Sequence, residues 1–334
     1  MNGAIDLTQK FARRGSRLVL RSSAAFMLCA SMVWAQSYPV KPVRIIVPAA
    51  VGGGSDLLAR FAGNYLDRTL NQRFIVDNRP GAGGNLGAEV TARAAPDGYT
   101  LCLITTGNVA INPFVMKDMN FDPLNDLVPV APVGDSAQTV IAANSLPANS
   151  LNELIALARR EPGKVLYGSA GVGTTAHLAG ELFSQIAGVQ MVHVPYKGGG
   201  PAVADVVAGR IQIAFLGVSA YRSQFDAGNL KVLAVASPNR MQSIPNVPTA
   251  RESGTNFVFN TWFGLVTAKG TPPEVVNLLN RQINVMMDDP AFLKVLLNGG
   301  LEPMRESPQQ FAARIRRDYE VMGNLVKSIG LKPE

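Results

Sequence analysis

The sequence predicts an α/β fold arranged as two lobes, and three observations carry that expectation. Apolar runs rich in β-branched residues recur along the chain and are continuous rather than alternating, as strands covered on both faces are. Segments of helical period separate them, so parallel crossovers are the expected connection. An interval rich in Asn, Asp and Pro, residues 120–126, is followed by a second series of the same kind, which suggests a second α/β body of similar size.

In the first series the strands VRIIVP (43–48), RFIVDN (73–78) and YTLCLIT (99–105) alternate with the helices LLARFAGNYLDRTL (57–70) and LGAEVTARAA (86–95). The second series has strands TVIAAN (139–144), KVLYGS (164–169), MVHVPY (191–196), IQIAFLG (211–217) and KVLAVAS (231–237). Its helices are LNELIALARRE (151–161), TAHLAGELFSQIAG (175–188) and PAVADVVAG (201–209). The remainder offers one strand, TWFGLVTAKG (261–270), and two amphipathic helices, PPEVVNLLNRQINVMMDD (272–289) and PQQFAARIRRDYEVMGNLV (308–326). Gly270, Pro272, Asp289 and Pro290 punctuate that stretch, and the apolar stripes of its helices need a surface, for which the first lobe is a candidate.

The chain has 334 residues, 47% hydrophobic and 16% charged, the balance of a folded body. Residues 1–35 stand apart from it. Arg13, Arg14, Arg17 and Arg21 precede an apolar segment, Ser22 to Trp34, too short to span a bilayer as a helix, and Val33-Trp34-Ala35 closes it. This reads as a secretory signal cut before Gln36, which places the protein in the periplasm. Gly15-Ser16-Arg17 after the arginine pair lacks an apolar continuation, so the general export route is expected over the twin-arginine one. No lipid is expected on Cys29, because Ala25-Phe26-Met27-Leu28 lacks the small residue such a site places before its cysteine.

Without residues 1–35 the formal charge falls from +7 to +3, so the basic balance belongs mostly to the leader. No Lys/Arg run with interleaved aromatics points to nucleic acid. Cys102, the one cysteine after the leader, sits in the apolar run TLCLIT and reads as core. No later segment approaches 18 uninterrupted apolar residues, so no membrane anchor is expected.

Four glycine-rich segments join a strand to a helix: VGGGSD (51–56), RPGAGGNLG (79–87), SAGVGTTAH (169–177) and KGGGPA (197–202). Glycines there let backbone N–H groups approach a ligand, and the helix start adds unpaired donors and a positive dipole end, so such a site can bind an anion. Any one of these loops alone reads equally well as a tight turn; four together favour a shared site. A phosphate loop is excluded, because no Gly-Lys-Ser or Gly-Lys-Thr occurs. The dinucleotide spacing fails at Gly81 and Gly83, where Leu86 takes the last place, but Gly171, Gly173 and Ala176 satisfy it. Pro195-Tyr196-Lys197 then stands where a ribose-binding acid belongs, which disfavours a nucleotide.

Catalytic patterns are absent. The chain has only two histidines, His177 and His193, in no metal-binding pair, and no G-x-S-x-G elbow, so no catalytic residue, metal or cofactor is assigned. His193 alternates with valines and reads as structural, whereas His177, one turn into a helix after a glycine loop, can lie near a ligand. Asp56 reads as an N-cap at least as readily as a ligand contact, and Ser55, Thr174 and Thr175 are N-cap types first and ligand donors second. Asn78, Asn108 and Asn112 read as turn formers or pocket donors, and Trp262 and Phe263 as core or pocket wall.

The segments IVPAAVGGGSDLLAR, VDNRPGAGGNLGAE, APDGYTL, INPFV, LYGSAGVGTTAHLAGELF, HVPYKGGGPAVADVVAGRI, LAVASPNR, IPNVPTARESG and WFGLVTAKGTP resemble, in order and spacing, the periplasmic solute-binding subunits of tripartite tricarboxylate transporters, the Bug receptors. The likeness runs from Pro39 nearly to the C-terminus. It implies a two-lobed Venus-flytrap receptor of the type II periplasmic binding class, each lobe a mixed sheet flanked by helices. On that pattern lobe 1 comprises residues 36–137 plus 256–334, and lobe 2 residues 138–255. The resemblance further implies that one carboxylate of a small ligand is held by Gly52, Gly53, Gly54, Ser55 and Asp56 together with Gly81, Ala82, Gly83 and Gly84. The other end is gripped by Gly171, Gly173, Thr174 and Thr175, with His177 adjacent.

Three departures from the family pattern bear on the ligand. Pro48 is followed by Ala49, Ala50 and Val51 where relatives carry an aromatic and a further proline, so a pocket wall is expected to be smaller or more open. Leu216 and Gly217 replace polar or acidic residues, which points to a carboxylic acid without an amino group. Val109 stands where relatives often have histidine. The expected function is a monomeric transport receptor that delivers a small carboxylate to membrane permease subunits. The alternatives are a ligand sensor for a membrane histidine kinase and a secreted nucleotide-dependent oxidoreductase, the latter disfavoured because no acid/base pair is present.

Overall fold

The computed structural model describes residues 38–49, 51, 52 and 54–333. The leader expected over residues 1–35 lies outside the described residues, as does Gly53 of the first glycine loop.

Two five-stranded sheets organise the chain. The first contains β1 (Val43–Val47), β2 (Phe74–Asn78), β3 (Thr100–Thr105), β4 (Leu127–Ala137) and β10 (Asn260–Ala268), in the order β2-β1-β3-β10-β4. β1 pairs in parallel with β2 and β3, in the register Val43↔Phe74 and Ile45↔Leu101, whereas β10 runs antiparallel to both β3 and β4. The second sheet contains β5 (Thr139–Ala143), β6 (Leu166–Ser169), β7 (Val192–Pro195), β8 (Ile213–Leu216) and β9 (Leu230–Val235), in the order β7-β6-β8-β5-β9. Here β5 is antiparallel to β8 and β9, and β6 is parallel to β7 and β8. Both sheets are therefore mixed and flanked by helices, a two-lobed α/β fold.

The chain leaves the first sheet after β4 and returns with β10, so two segments cross between the sheets. They are tied to each other: Gln138 N–H donates to the Phe259 carbonyl (2.9 Å), and Phe259 N–H to that of Ala236 (2.8 Å). β4 was not legible as a strand, since Pro129 and Pro132 interrupt its run. It tolerates them because it lies at the sheet edge and its pairing with β10 is irregular, shifting at Phe263/Gly264 and Leu265/Val266.

In chain order the helices are α1 (Gly54–Leu70), α2 (Asn85–Ala92), α3 (Asn112–Val115), α4 (Leu151–Arg160), α5 (Thr175–Ala187), α6 (Gly199–Val207), α7 (Arg222–Asp226), α8 (Pro273–Met286), α9 (Pro290–Asn298) and α10 (Pro308–Ser328). Their starts follow local chemistry. Ser150 accepts from Glu153 N–H before α4, Asp289 from Ala291 and Phe292 before α9, and Ser307 with Gln310 closes a reciprocal capping box before α10.

The 21 residues of α10 serve both cores. Phe311 and Ile315 lie buried with Ile46, Cys102 and Trp262 of the first lobe, whereas Met322, Leu325 and Val326 lie buried with Tyr167, Phe183 and Phe215 of the second. The first lobe, a candidate surface for this helix on the sequence, takes its early turns; its apolar stripe continues past that lobe and packs on the second as well. Trp262 is wholly buried, its ring edge-on to Phe311 (5.0 Å) and its Nε1–H donating to Asp318 (2.8 Å), so it belongs to the core rather than a pocket wall.

Gly264 on the internal strand β10 makes the Phe311 contact possible. A Cβ there would lie 2.3 Å from the Phe311 ring and 3.2 Å from the Ala131 carbonyl oxygen. Gly264→Ala is expected to destabilise the protein by about 1–3 kcal/mol through overpacking, read as a lower urea midpoint at unchanged m-value; an unchanged midpoint would show that Phe311 moves aside freely.

Candidate functional site

The first glycine loop follows β1. Gly52 takes φ +84°, open to glycine without penalty, and its N–H donates to Asp56 Oδ2 (2.9 Å). Asp56 is 2% exposed and also accepts from Arg60 Nε, 3.0 Å away and one turn further along α1. Burial alone would raise its pKa, but the bonds from Arg60 and Gly52 outweigh that and hold it below the usual carboxylate value. Asp56 thus ties the loop to its helix from beneath. A charged carboxylate already accepting from the loop is a brace, not a partner for an incoming carboxylate. Asn78, at the end of β2, binds the Ala49 carbonyl (3.1 Å) and steadies the loop from the other side.

The second loop carries four consecutive positive φ angles: Gly81 +129°, Ala82 +47°, Gly83 +59° and Gly84 +92°. Ala82 is the residue there with a side chain to strain. The amides of Ala82 and Gly83 meet no acceptor among the described residues, whereas Gly84 N–H closes on the Gly81 carbonyl (2.9 Å). Asn108 and Asn112 both donate to the Gly83 carbonyl, each at 3.0 Å. Asn108 is held in turn by Thr105, whose N–H and hydroxyl donate to its Oδ1 (2.9 and 3.0 Å). A Cβ on Gly84 would lie 2.4 Å from Asn108 Nδ2 and 3.1 Å from the Pro48 carbonyl oxygen, so the second loop packs onto the exit of β1. Val109, the family's frequent histidine position, points into the core and is 0% exposed, so it offers the site neither a contact nor a gap.

In the second lobe the loop Ala170–Thr174 joins β6 to α5. Gly171 (φ +136°) donates its N–H to Ser169 Oγ (3.1 Å), and Gly173 (φ +73°) donates its own to His177 Nδ1 (3.1 Å). Thr174 caps α5: its hydroxyl donates to the Gly171 carbonyl (2.7 Å) and accepts from His177 N–H (3.4 Å). The glycine amides expected to face a ligand in this loop are therefore engaged inside it. The wall it presents is its outer backbone, the Thr175 side chain and the N-terminus of α5. His177 is buried behind the loop rather than lining the opening.

Between the lobes lies a cavity of about 270 Å³. Gly107, Ile111, Asn112 and Val115 line it from the first lobe, Val172, Gly173, Thr174 and Thr175 from the second, and Leu331 and Lys332 from the tail after α10. Gly83 reaches its rim through Asn112, while Gly52, Gly54, Ser55 and Asp56 do not line it. Of the ten lining residues Lys332 alone is charged, and no acid is among them. Sequence reasoning named neither Gly107, Ile111 and Val115 of the first lobe, nor Val172, Leu331 and Lys332, as site residues. Nothing in the local pattern marks those outside the glycine loop, because the turn Gly107–Ile111 and the C-terminal tail reach the cleft only through the packing of α10.

Among the described residues no group of three or more His, Cys, Asp or Glu side chains could hold a metal ion, and no helix is long and apolar enough to cross a membrane. Cys102 is fully buried and its thiol is pushed up to about 12 by desolvation, as a core cysteine's is.

Comparison with known proteins agrees with this architecture. The family model described as the tripartite tricarboxylate transporter family receptor matches residues 58–331. Protein BugT of Bordetella pertussis is 36% identical over 305 residues, 91% of this chain and 94% of BugT. An R. palustris protein solved with adipate superposes with a TM-score of 0.74 at 32% identity, covering 89% of this chain and 100% of that one. MatC from Rhodopseudomonas palustris, solved with bound malate, gives 0.69 at 28% identity over 86% of this chain and 100% of MatC. The chain therefore belongs to the tripartite tricarboxylate transporter receptor family, the Bug-type solute-binding receptors, whose members bind solutes rather than transform them.

Proposed function

We propose that this receptor captures a small carboxylate in the cleft between lobe 1 (residues 36–137 plus 256–334) and lobe 2 (residues 138–255), and passes it in the periplasm to a tripartite tricarboxylate-type permease. The observation that carries the reading is the lining of the interlobe cavity: four aliphatic side chains, Ile111, Val115, Val172 and Leu331, among main-chain and neutral polar groups, with the start of α5, a single lysine and no acid. Such a lining favours an anion, because unpaired helix-start N–H groups and Lys332 supply positive potential that no carboxylate opposes. The volume, about 270 Å³, suits a ligand of dicarboxylate size. The R. palustris relatives solved with adipate and with malate support the same class.

The loop Gly81–Gly84 completes this proposed site from the first lobe, with the amides of Ala82 and Gly83 as its donors, whereas Gly52, Gly54, Ser55 and Asp56 stand outside the cavity lining. Discrimination would come from the two lobes closing on the ligand, with no chemical change.

Purified protein heated with adipate, malate and other di- and tricarboxylates is expected to show a rise in unfolding temperature for at least one of them. Ligand at about 100 times its Kd adds roughly 2.7 kcal/mol of stability, readily visible in such a scan. No response to any carboxylate, with a response to nucleotides, would overturn the reading. A second test addresses the first-lobe loop. A side chain at Gly83, where φ is +59°, would lie 3.2 Å from Asn112 Nδ2. Gly83→Val should abolish the ligand-induced shift while unfolding stays cooperative; an undiminished shift would remove this loop from the site.

A further inference from the structure

Behind the second-lobe glycine loop lies a cluster of titratable side chains that the ligand reading does not use. His177 on α5 and His193 on β7 stack face to face, 4.0 Å between centroids and 17° between planes. His193 stacks in turn on Tyr167 of β6 (4.9 Å). Tyr167 donates its hydroxyl to Glu181 Oε1 (2.5 Å), and the same oxygen lies 3.7 Å from His177 Nε2. On the far side His193 Nε2 is 2.6 Å from Ser169 Oγ.

Each ring holds one glycine amide of the loop. His177 does so directly, because Gly173 N–H donates to Nδ1; that nitrogen is therefore unprotonated and the ring proton sits on Nε2, toward Glu181. His193 does so through Ser169, whose hydroxyl oxygen accepts from Gly171 N–H. A doubly protonated His177 has no lone pair at Nδ1, so it cannot keep the Gly173 bond. Two imidazolium rings at 4.0 Å would also repel.

We propose that His177 is the positioning residue of the second-lobe wall: its neutral ring fixes the Val172–Thr175 segment through Gly173, and protonation releases that segment and weakens carboxylate binding. This deepens the receptor reading and rests on it. Desolvation lowers the pKa of His177 below its ordinary value, with Glu181 opposing, and desolvation and the neighbouring ring push His193 down to about 4. Both folded-state values lie below the unfolded value of about 6.5, so the neutral rings stabilise the fold above about pH 6.5, and that contribution fades as pH falls toward 4. The groups facing His177 are Glu181 on its own helix, His193 on β7 and, beyond that ring, Tyr167 on β6. Glu181 is the one that favours the charged ring.

The test compares the full wild-type protein with His177→Asn and His177→Leu, using adipate as the probe at pH 7.5 and at the acidic pH where the wild-type His177 ring resonance shows it mostly protonated. Asn places an acceptor near the former Nδ1 but does not titrate; Leu keeps bulk and offers no acceptor. Wild-type affinity is expected to fall between these pH values by about fivefold more than that of His177→Asn, the equivalent of one lost hydrogen bond, with ionisation of adipate itself common to both. At pH 7.5 His177→Asn should restore binding relative to His177→Leu. Equal pH profiles for wild type and His177→Asn would overturn the proposal.

A ligand-free measurement separates this proposal from the receptor reading. The Gly173 amide resonance should titrate together with the His177 ring. If it does while adipate and other carboxylates fail to bind at either pH, the receptor reading falls and the positioning role of His177 stands. A Gly173 amide indifferent to His177 titration overturns the proposal whatever the ligand result.

Discussion

A glycine turn between a strand and a helix leaves main-chain polar groups without ladder partners, and the rest of this protein's cleft depends on how those groups are satisfied. The solution is the same three times. Asp56 reaches back to Gly52, Asn108 and Asn112 converge on the Gly83 carbonyl, and His177 accepts from Gly173. Each brace comes from the helix or helical turn that the chain enters next or the one beyond, so the loop's shape is fixed by elements already anchored in a core. Glycine supplies the conformational freedom and the braces remove it again. The loops that result are turns of defined shape, and of the three the Val172–Thr174 segment lines the cleft.

That arrangement is useful only if the two lobes face each other in register, and α10 is the element that spans them. Its first turns complete the core around Trp262 and its last turns the core around Tyr167 and Phe183. The residues after it bring Leu331 and Lys332 to the cavity. Near the crossing segments the packing turns polar. Asp135, half-buried near the end of β4, accepts from Asn260 Nδ2 (2.5 Å) and is pushed by desolvation up to about 7, with Arg314 opposing the rise. Arg314 is itself paired with Glu306, and Asp318 is taken by Trp262. Arg314 and Asp318 are thus each met by a specific partner, whereas Asp135 Oδ1 and Glu306 Oε2 have none among the described residues.

Much of this was legible in the sequence. Continuous apolar runs marked nine of the ten strands, and the caps and stops of the main helices followed local chemistry. β4 escaped because two prolines argue against a strand until its edge position is known, and α9 because Pro290 reads as a stop before it reads as a first helical residue. Of the proposed site, the glycine loops were visible as loops. Which of their amides face outward was not, since that is set by Ser169, His177, Asp56 and the two asparagines, residues whose roles depend on where their side chains point.

What the sequence determined by itself is therefore the alternation of elements, the identity of the family and the places where a glycine loop joins a strand to a helix, because each of these is a property of local pattern. What only the tertiary structure decided is the cleft: that Gly107–Val115, Val172–Thr175 and Leu331–Lys332 meet around one cavity, and that two histidines 16 positions apart stack beneath its wall. Those are contacts between segments far apart in the chain. Their geometry follows from how two mixed sheets and one long helix pack, a constraint that no single stretch of residues contains.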